Sequence, residues 1–193
     1  MKIHLNSPVT AENAASIEAD TVLVCTGAEP LVPHIPGIDG ANVKKAQDVL
    51  LGKAEVKGDV VICGGGQVGV ETALELIERG HKITIVEMLP DLILKEELMT
   101  RIVMMKKLAA AGVNILCSHS VTAFTDSGVE VEDMKTGEKK TLEGDVVIAF
   151  GTKPVAAVKE LFPDKEVMVI GDARTPDTIT SAIHDGFFAA LDI

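Results

Sequence analysis

The chain predicts an α/β fold: a Rossmann-like parallel sheet with flanking helices and a small antiparallel β insertion. Three observations predict it. An apolar run, Asp59-Val60-Val61-Ile62-Cys63, ends in Gly64-Gly65-Gly66-Gln67-Val68-Gly69, and a helical apolar period follows at once. A second apolar run, residues 83 to 86, ends at Glu87. Further on, short β-rich runs are parted by Asp126-Ser127-Gly128 and Thr136-Gly137-Glu138, which are hairpin signals.

In chain order, residues 3–5 read as a short strand with no companion before it, and residues 20–25 as a second strand ending at Thr26-Gly27. Pro30, Pro33, Pro36, Gly37 and Gly40 make the next stretch an extended connector, because proline fixes φ and pushes its predecessor out of the helical region. Residues 47–51 suit a brief helix and residues 59–63 a strand. The helix after Gly66 carries Val70, Ala73, Leu74 and Ile77 on one face and stops at Gly80. Residues 82–87 form the next strand, and Pro90-Asp91 begin a loop. Residues 96–111 read as an amphipathic helix with Leu98, Ile102, Met105, Leu108 and Ala109 inward, and Met88, Met99, Met104 and Met105 as core fillers. Residues 113–116 are a third parallel strand. Residues 120–124, 129–132 and 139–142 make the antiparallel insertion. Residues 146–150 and 167–170 return as buried strands that end at Gly151 and at Gly171-Asp172, and residues 178–191 close the chain as a helix. The expected division is 1–57, 58–152 and 153–193.

The glycine motif names a ligand. Strand, Gly-x-Gly-x-x-Gly, helix, second strand and terminal acid together make a dinucleotide-binding βαβ unit. Gly64 lets the chain turn sharply out of its strand, Gly66 lets the backbone approach a pyrophosphate, and Gly69 lets the helix pack closely on the strand. From Gly65 and Gly66 through Gln67 and Val68, the helix start offers unpaired N–H groups and the positive end of a dipole to phosphates. Glu87 is placed to accept hydrogen bonds from the adenosine ribose hydroxyls and to repel a 2′-phosphate. No Arg or Lys between Met88 and Leu94 would welcome that phosphate, so the expected cofactor is NAD(H) rather than NADP(H). Without a ligand the same residues would be a glycine-rich turn.

Composition narrows the classes. At 193 residues and 47% hydrophobic, the chain can bury a core as one large domain, or as one domain with pieces of another. It carries 29 acidic against 18 basic residues, and Lys106-Lys107 and Lys139-Lys140 are isolated pairs on solvated faces, so no nucleic-acid partner is expected. Cys25, Cys63 and Cys117 are odd in number and widely spaced, which suits reduced thiols in a cytoplasmic protein and excludes a local dithiol or iron–sulfur motif. His4, His34, His81, His119 and His184 show no metal-ligand spacing, and no metal site is expected. No apolar stretch approaches the ~18 residues of a membrane span, and the first five residues are too short and mixed for a signal peptide. Ser118-His119-Ser120 lacks a nucleophile-elbow context.

Thr26-Gly27 with Pro30, the motif from Gly64 to Glu71, Gly151 with Pro154, and Ile170-Gly171-Asp172 before the last helix together resemble the two-dinucleotide flavoprotein reductases. In that superfamily an NAD(P)H-binding domain is inserted into an FAD-type domain. More narrowly, Gly27-Ala28-Glu29-Pro30, Pro36-Gly37-Ile38-Asp39-Gly40 and Ala46-Gln47-Asp48-Val49-Leu50 resemble the C-terminal region of NADH:flavin oxidoreductases related to 2,4-dienoyl-CoA reductase and 2-enoate reductase. The resemblance implies that residues 1–57 and 153–193 are parts of an FAD-type domain around an NAD(H)-binding domain at 58–152. It implies cofactor contacts at Thr26, Gly27, Gly151, Gly171 and Asp172, with Gly171-Asp172 matching the pair that meets the ribityl and phosphate region of FAD. The plainer reading of Asp172 is an N-cap or turn residue. Glu71 reads either as a residue near the nicotinamide or as an acid favourably placed at a helix N-terminus.

The implied chemistry is hydride transfer from NADH to FAD, then through an iron–sulfur cluster to FMN, where an activated C=C bond is reduced. Cofactors carry that chemistry, so no catalytic side chain is nominated. No glycine motif precedes Thr26, and neither an FMN barrel nor a cysteine cluster is present. The expectation is therefore a piece of a longer protein, inactive alone, with FAD held in the full-length protein and FMN and the cluster in the missing region. Its partners would be NADH and that missing region, and uncovered apolar surface would favour homo-oligomers. Two alternatives stay open: a dinucleotide-binding module without turnover, and a relative of the pyridine nucleotide–disulfide reductases.

Overall fold

The computed structural model describes residues 2–193. Its elements in order are β1 (Thr21–Val24), β2 (Ala28–Pro30), β3 (Val43–Lys45), α1 (Ala46–Leu50), β4 (Val60–Cys63), α2 (Gln67–Glu78), β5 (Ile83–Glu87), α3 (Leu98–Ala110), β6 (Asn114–Cys117), β7 (His119–Thr125), β8 (Gly128–Asp133), β9 (Lys139–Glu143), β10 (Asp145–Ile148), β11 (Thr152–Pro154), β12 (Glu166–Val169) and α4 (Ile179–Leu191). They fall into two compact units. One is Pro30–Gly151, and the other joins the residues through Glu29 to Thr152–Ile193.

The larger unit is built on a five-stranded sheet in the order β3-β10-β4-β5-β6, every neighbouring pair parallel. β4 is buried along its whole length, as a central parallel strand requires. Strand alternation sorts the side chains between two cores. Val60, Ile62, Ile83, Ile85 and Val147 pack with Ala46, Val49, Val70, Ala73, Leu76 and Leu108 of the helices. Val61, Cys63, Val86, Val146 and Ile148 instead meet Phe124, Val129 and Val131 of the antiparallel sheet β7-β8-β9. Each fully buried Val, Ile or Leu contributes roughly 1.5–3 kcal/mol, so the alternation fixes the register of the whole sheet.

In the smaller unit β1 and β12 pair in parallel, from Thr21 opposite Glu166 to Val24 opposite Val169. β2 and β11 form a separate two-stranded sheet. α4 starts at a capping box in which Thr178 and Ser181 satisfy each other's backbone N–H groups. Beyond that start, Ile179, Ile183, Phe187, Phe188 and Leu191 are all exposed. Among the described residues no helix is long and apolar enough to cross a membrane.

The α/β class, the parallel sheet and the antiparallel insertion agree with the sequence reading; several details do not. Residues 3–5 form no strand and are exposed, since no neighbouring strand pairs with them. Residues 30–57 were expected with the N-terminal segment but belong to the larger unit, because β3 hydrogen-bonds to β10 and Ala46 and Val49 are buried in its core. α3 is rotated from its expected face: Leu98, Ile102 and Ala109 are exposed, while Arg101, Met104, Met105 and Leu108 turn inward. An ion pair takes the inward place that a purely apolar reading gave to Ile102. Met88 and Met99 are likewise exposed rather than core.

Candidate functional site

β4 delivers the glycine loop to the carboxyl edge of the sheet where the strand order reverses, with β5 and β6 to one side and β10 and β3 to the other. Open α/β sheets take ligands in the crevice at such a switch point. The segment after β10 runs beside the loop: the Ala149 N–H donates to the Cys63 carbonyl at 2.8 Å, and Gly151 accepts from the Leu31 N–H at 2.9 Å.

Close packing explains the glycines individually. Gly64 has φ of 114°, and its N–H donates to the Val86 carbonyl at 2.8 Å. A Cβ there would come within 3.0 Å of the Ala149 carbonyl, and one on Gly69 would strike the Gly64 carbonyl. A Cβ on Gly65 would collide with Leu92 Cδ2. Gly66 differs, because a Cβ there would meet nothing within 4 Å. The space beside Gly66 is open, as a phosphate approach needs. No side chain caps α2, so its first N–H groups and the positive end of its dipole are available to an anion. Gln67 and Glu71 are exposed and bonded to each other, Nε2 donating to Oε1 at 3.0 Å. Val68 is half-buried, and its carbonyl accepts the Thr72 hydroxyl at 2.6 Å.

Glu87 ends β5 and is only 9% exposed. Its Oε2 accepts the Gly65 N–H at 2.6 Å and its Oε1 the Leu89 N–H at 2.8 Å. The acid therefore ties the glycine loop to the loop that follows β5. Each carboxylate oxygen keeps a second lone pair, which leaves acceptor capacity for a hydroxyl.

The loop after Glu87 is clamped at three more points. Leu92 is fully buried beneath Gly65. The Ile93 N–H donates to the Gly65 carbonyl at 2.9 Å, and Ile93 reaches it with φ of 44°, a left-handed conformation that β-branched residues rarely take. Arg101 closes the loop from α3: its guanidinium pairs with Asp91, and its Nε donates to the Leu92 carbonyl at 3.1 Å. The Leu92 N–H and then Arg101 hold the Asp91 carboxyl below the usual carboxylate range. Sequence reasoning missed Arg101, because the search for a cation stopped at Leu94. The signal was an arginine at an inward position of a helical period. Cys117 lies opposite Glu87 in the register of β5 and β6, and burial, then the charges of Asp91 and Glu87, push its thiol up. Burial alone pushes up the thiol of Cys63, which packs with Phe124, Val129 and Val131 on the face toward the antiparallel sheet.

In the smaller unit the parallel pairing of β1 and β12 brings Thr26 and Gly27 out at the same end as Gly171 and Asp172. The Thr26 hydroxyl donates to the Val155 carbonyl, and the Gly27 carbonyl accepts the Val155 N–H at 2.9 Å. The Gly171 N–H donates to Asp185 Oδ2 at 2.9 Å, and Asp185 also pairs with Arg174. Asp172 accepts the Asp177 N–H at 3.3 Å, which is a turn role. With Asp177, Thr178, Ile179, Ala182 and Ile183 it lines a shallow cavity of about 340 Å³. Asp185 was not anticipated from the sequence. Among the described residues no group of three His, Cys, Asp or Glu is placed to hold a metal ion.

Comparison with known proteins agrees with this architecture. An NADH oxidase of Thermoanaerobacter brockii is 38% identical over 200 residues, which cover 99% of this chain and 31% of the oxidase. A bilirubin reductase of Mediterraneibacter gnavus is 34% identical over 97% of this chain and 30% of its own. The solved 2-naphthoyl-CoA reductase in complex with 2-naphthoyl-CoA superposes with a TM-score of 0.88 at 27% identity, over 100% of this chain and 30% of that one. The chain thus spans about a third of the length of these relatives. The family model of the pyridine nucleotide-disulphide oxidoreductases matches residues 2–186. With that match, and with structural neighbours in the two-dinucleotide flavoprotein class, the chain belongs to the pyridine nucleotide-disulphide oxidoreductase family.

Proposed function

We propose that this chain is the NADH-binding, electron-input region of a longer flavin-dependent oxidoreductase that reduces an activated C=C bond of the enoate or dienoyl-CoA class. The observation that carries the NADH reading is the contact between Glu87 and Gly65, which sets a buried carboxylate beside an uncapped helix N-terminus. The reductase names of its relatives and the aromatic acyl-CoA ligand of the solved neighbour support the wider reading. When bound, NADH supplies a hydride and FAD accepts it.

This chain's residues bind and orient. The N–H groups at Gly66, Gln67 and Val68 would take the pyrophosphate, with the absence of a Cβ at Gly66 keeping the approach open and that at Gly65 making room for Leu92 beneath the loop. Glu87 would take the adenosine ribose hydroxyls and turn away a 2′-phosphate. Glu71, exposed one turn into α2, and Gly151 across the crevice would border the nicotinamide half. In the smaller unit the Thr26 hydroxyl and the Gly171 N–H are already engaged by Val155 and Asp185. Together with Gly27 and Asp172 they make one edge of a flavin site and do not form a cradle by themselves. On this reading FAD would be held in the longer protein, with FMN and an iron–sulfur cluster in its other regions.

Calorimetric titration of the chain with NADH and with NADPH tests this reading. Tighter binding of NADH by tenfold or more is expected. Preference for NADPH would overturn the role given to Glu87, and binding of neither would overturn the dinucleotide site.

A further inference from the structure

The loop of residues 88–93 is built with more care than a surface connection needs. Leu92 fills the space under Gly65, Ile93 adopts a left-handed conformation to reach the Gly65 carbonyl, and Glu87 holds the Gly65 N–H from the other side. Backbone strain of this kind persists only where the surroundings over-determine it. The group that does so is Arg101. Its side chain is three-quarters covered, on the inward face of α3, and Nε takes the Leu92 carbonyl while the guanidinium holds Asp91. Asp91 in turn accepts the Leu92 N–H at 2.8 Å. One planar fork therefore fixes the peptide groups on both sides of Leu92, and Leu92 and Ile93 fix Gly65.

We propose that Arg101 is a positioning residue of the dinucleotide site, acting through Asp91, Leu92 and Ile93 on the conformation of Gly65. The inference rests on the reading of the glycine loop as an NADH site. Arginine suits the task because its fork spans a carboxylate and a carbonyl at once, whereas a lysine ammonium is a point charge on a flexible stem. Without the fork, the loop would lose the tie that holds Ile93 in its left-handed conformation, and Gly65 would lose its carbonyl partner. The first N–H groups of α2 would then no longer converge.

The test is NADH titration of the wild-type chain and of Arg101→Met, Arg101→Lys and Asp91→Asn, with amide hydrogen exchange of each free protein. Arg101→Met is expected to raise the Kd for NADH at least tenfold and to speed exchange at Gly65 and Ile93, while amides of β4 and β5 stay protected. Arg101→Lys should recover part of the affinity, and Asp91→Asn should fall between wild type and Arg101→Met. A wild-type chain that binds NADH alongside an Arg101→Met variant with unchanged Kd overturns the positioning role and leaves the NADH reading intact. A wild-type chain that binds no dinucleotide overturns both. Uniform loss of protection across β4 and β5 in all three variants would show a general structural role and overturn the proposal.

Discussion

The Glu87 carboxylate accepts the Gly65 N–H at 2.6 Å, so the acid proposed to meet the ribose also shapes the loop proposed to meet the phosphates. Its other oxygen holds the Leu89 N–H. Glu87→Ala would leave the buried Gly65 N–H without a partner, at a cost of about 1–3 kcal/mol. Glu87→Gln retains one carbonyl acceptor and should lose less stability, yet it removes the charge proposed to repel a 2′-phosphate. The expected outcome is a lower denaturation midpoint for the alanine variant, and at least a tenfold fall in the NADH-over-NADPH ratio for the glutamine variant. A glutamine variant with unchanged selectivity would show that Glu87 serves the loop alone.

Two glycines separate stability from binding. A methyl on Gly69 strikes the Gly64 carbonyl, whereas a methyl on Gly66 enters open space at an ordinary φ of −72°. Gly69→Ala is expected to destabilise the chain by about 1–3 kcal/mol, as overpacking does. Gly66→Ala is expected to leave stability within about 0.5 kcal/mol and still to weaken NADH binding at least tenfold, because the methyl occupies the phosphate approach. Urea denaturation read beside calorimetric titration checks the pair.

Much of this arrangement was legible before the structure, and the parts that were not share one cause. The βαβ unit could be read because its apolar periods and glycines are local in sequence. The antiparallel insertion could be read because Asp126-Ser127-Gly128 and Thr136-Gly137-Glu138 announce their turns. β3 escaped notice because Val43-Lys44-Lys45 carries no strand pattern and exists through its pairing with β10. The face of α3 was misread because Arg101 is polar in composition yet turned inward by Asp91, a partner ten residues away on a loop. The second role of Glu87 was hidden for the same reason, since its partner is a backbone N–H on another turn.

The cysteines give a chemical check on the core. Cys63 is fully buried and its thiol is pushed up by that burial, while Cys25 is exposed. The thiolate is the reacting form, so a disulfide reagent such as Ellman's should label Cys25 promptly in the native chain. Cys63 should react only at the rate of unfolding. Labelling of Cys63 within the native dead time would mean that the antiparallel sheet packed over it opens freely.

Acid should act on the Asp91–Arg101 clasp in a defined window. The Leu92 N–H and then Arg101 favour the charged carboxylate, so the folded pKa of Asp91 lies below its unfolded value of ~3.9. The unfolded chain then binds more protons than the folded one below that value, and stability falls as pH falls. The contribution is fully present above the unfolded pKa, and it is lost as pH drops through the folded pKa. The Asp91 side chain is 47% exposed, so solvent screening keeps the contribution under about 1 kcal/mol. Glu97 and Asp133 are shifted the same way, by the Thr100 and Met99 N–H groups and chiefly by the Lys135 N–H respectively, and they steepen the same acid limb. Asp91→Asn removes only its own share. Denaturation curves of wild type and Asp91→Asn should therefore differ by a constant amount from pH 5 to 7 and converge below about pH 4. A gap that persists unchanged to pH 2.5 would show that Asp91 acts by shape and hydrogen bonding, with no contribution from its charge.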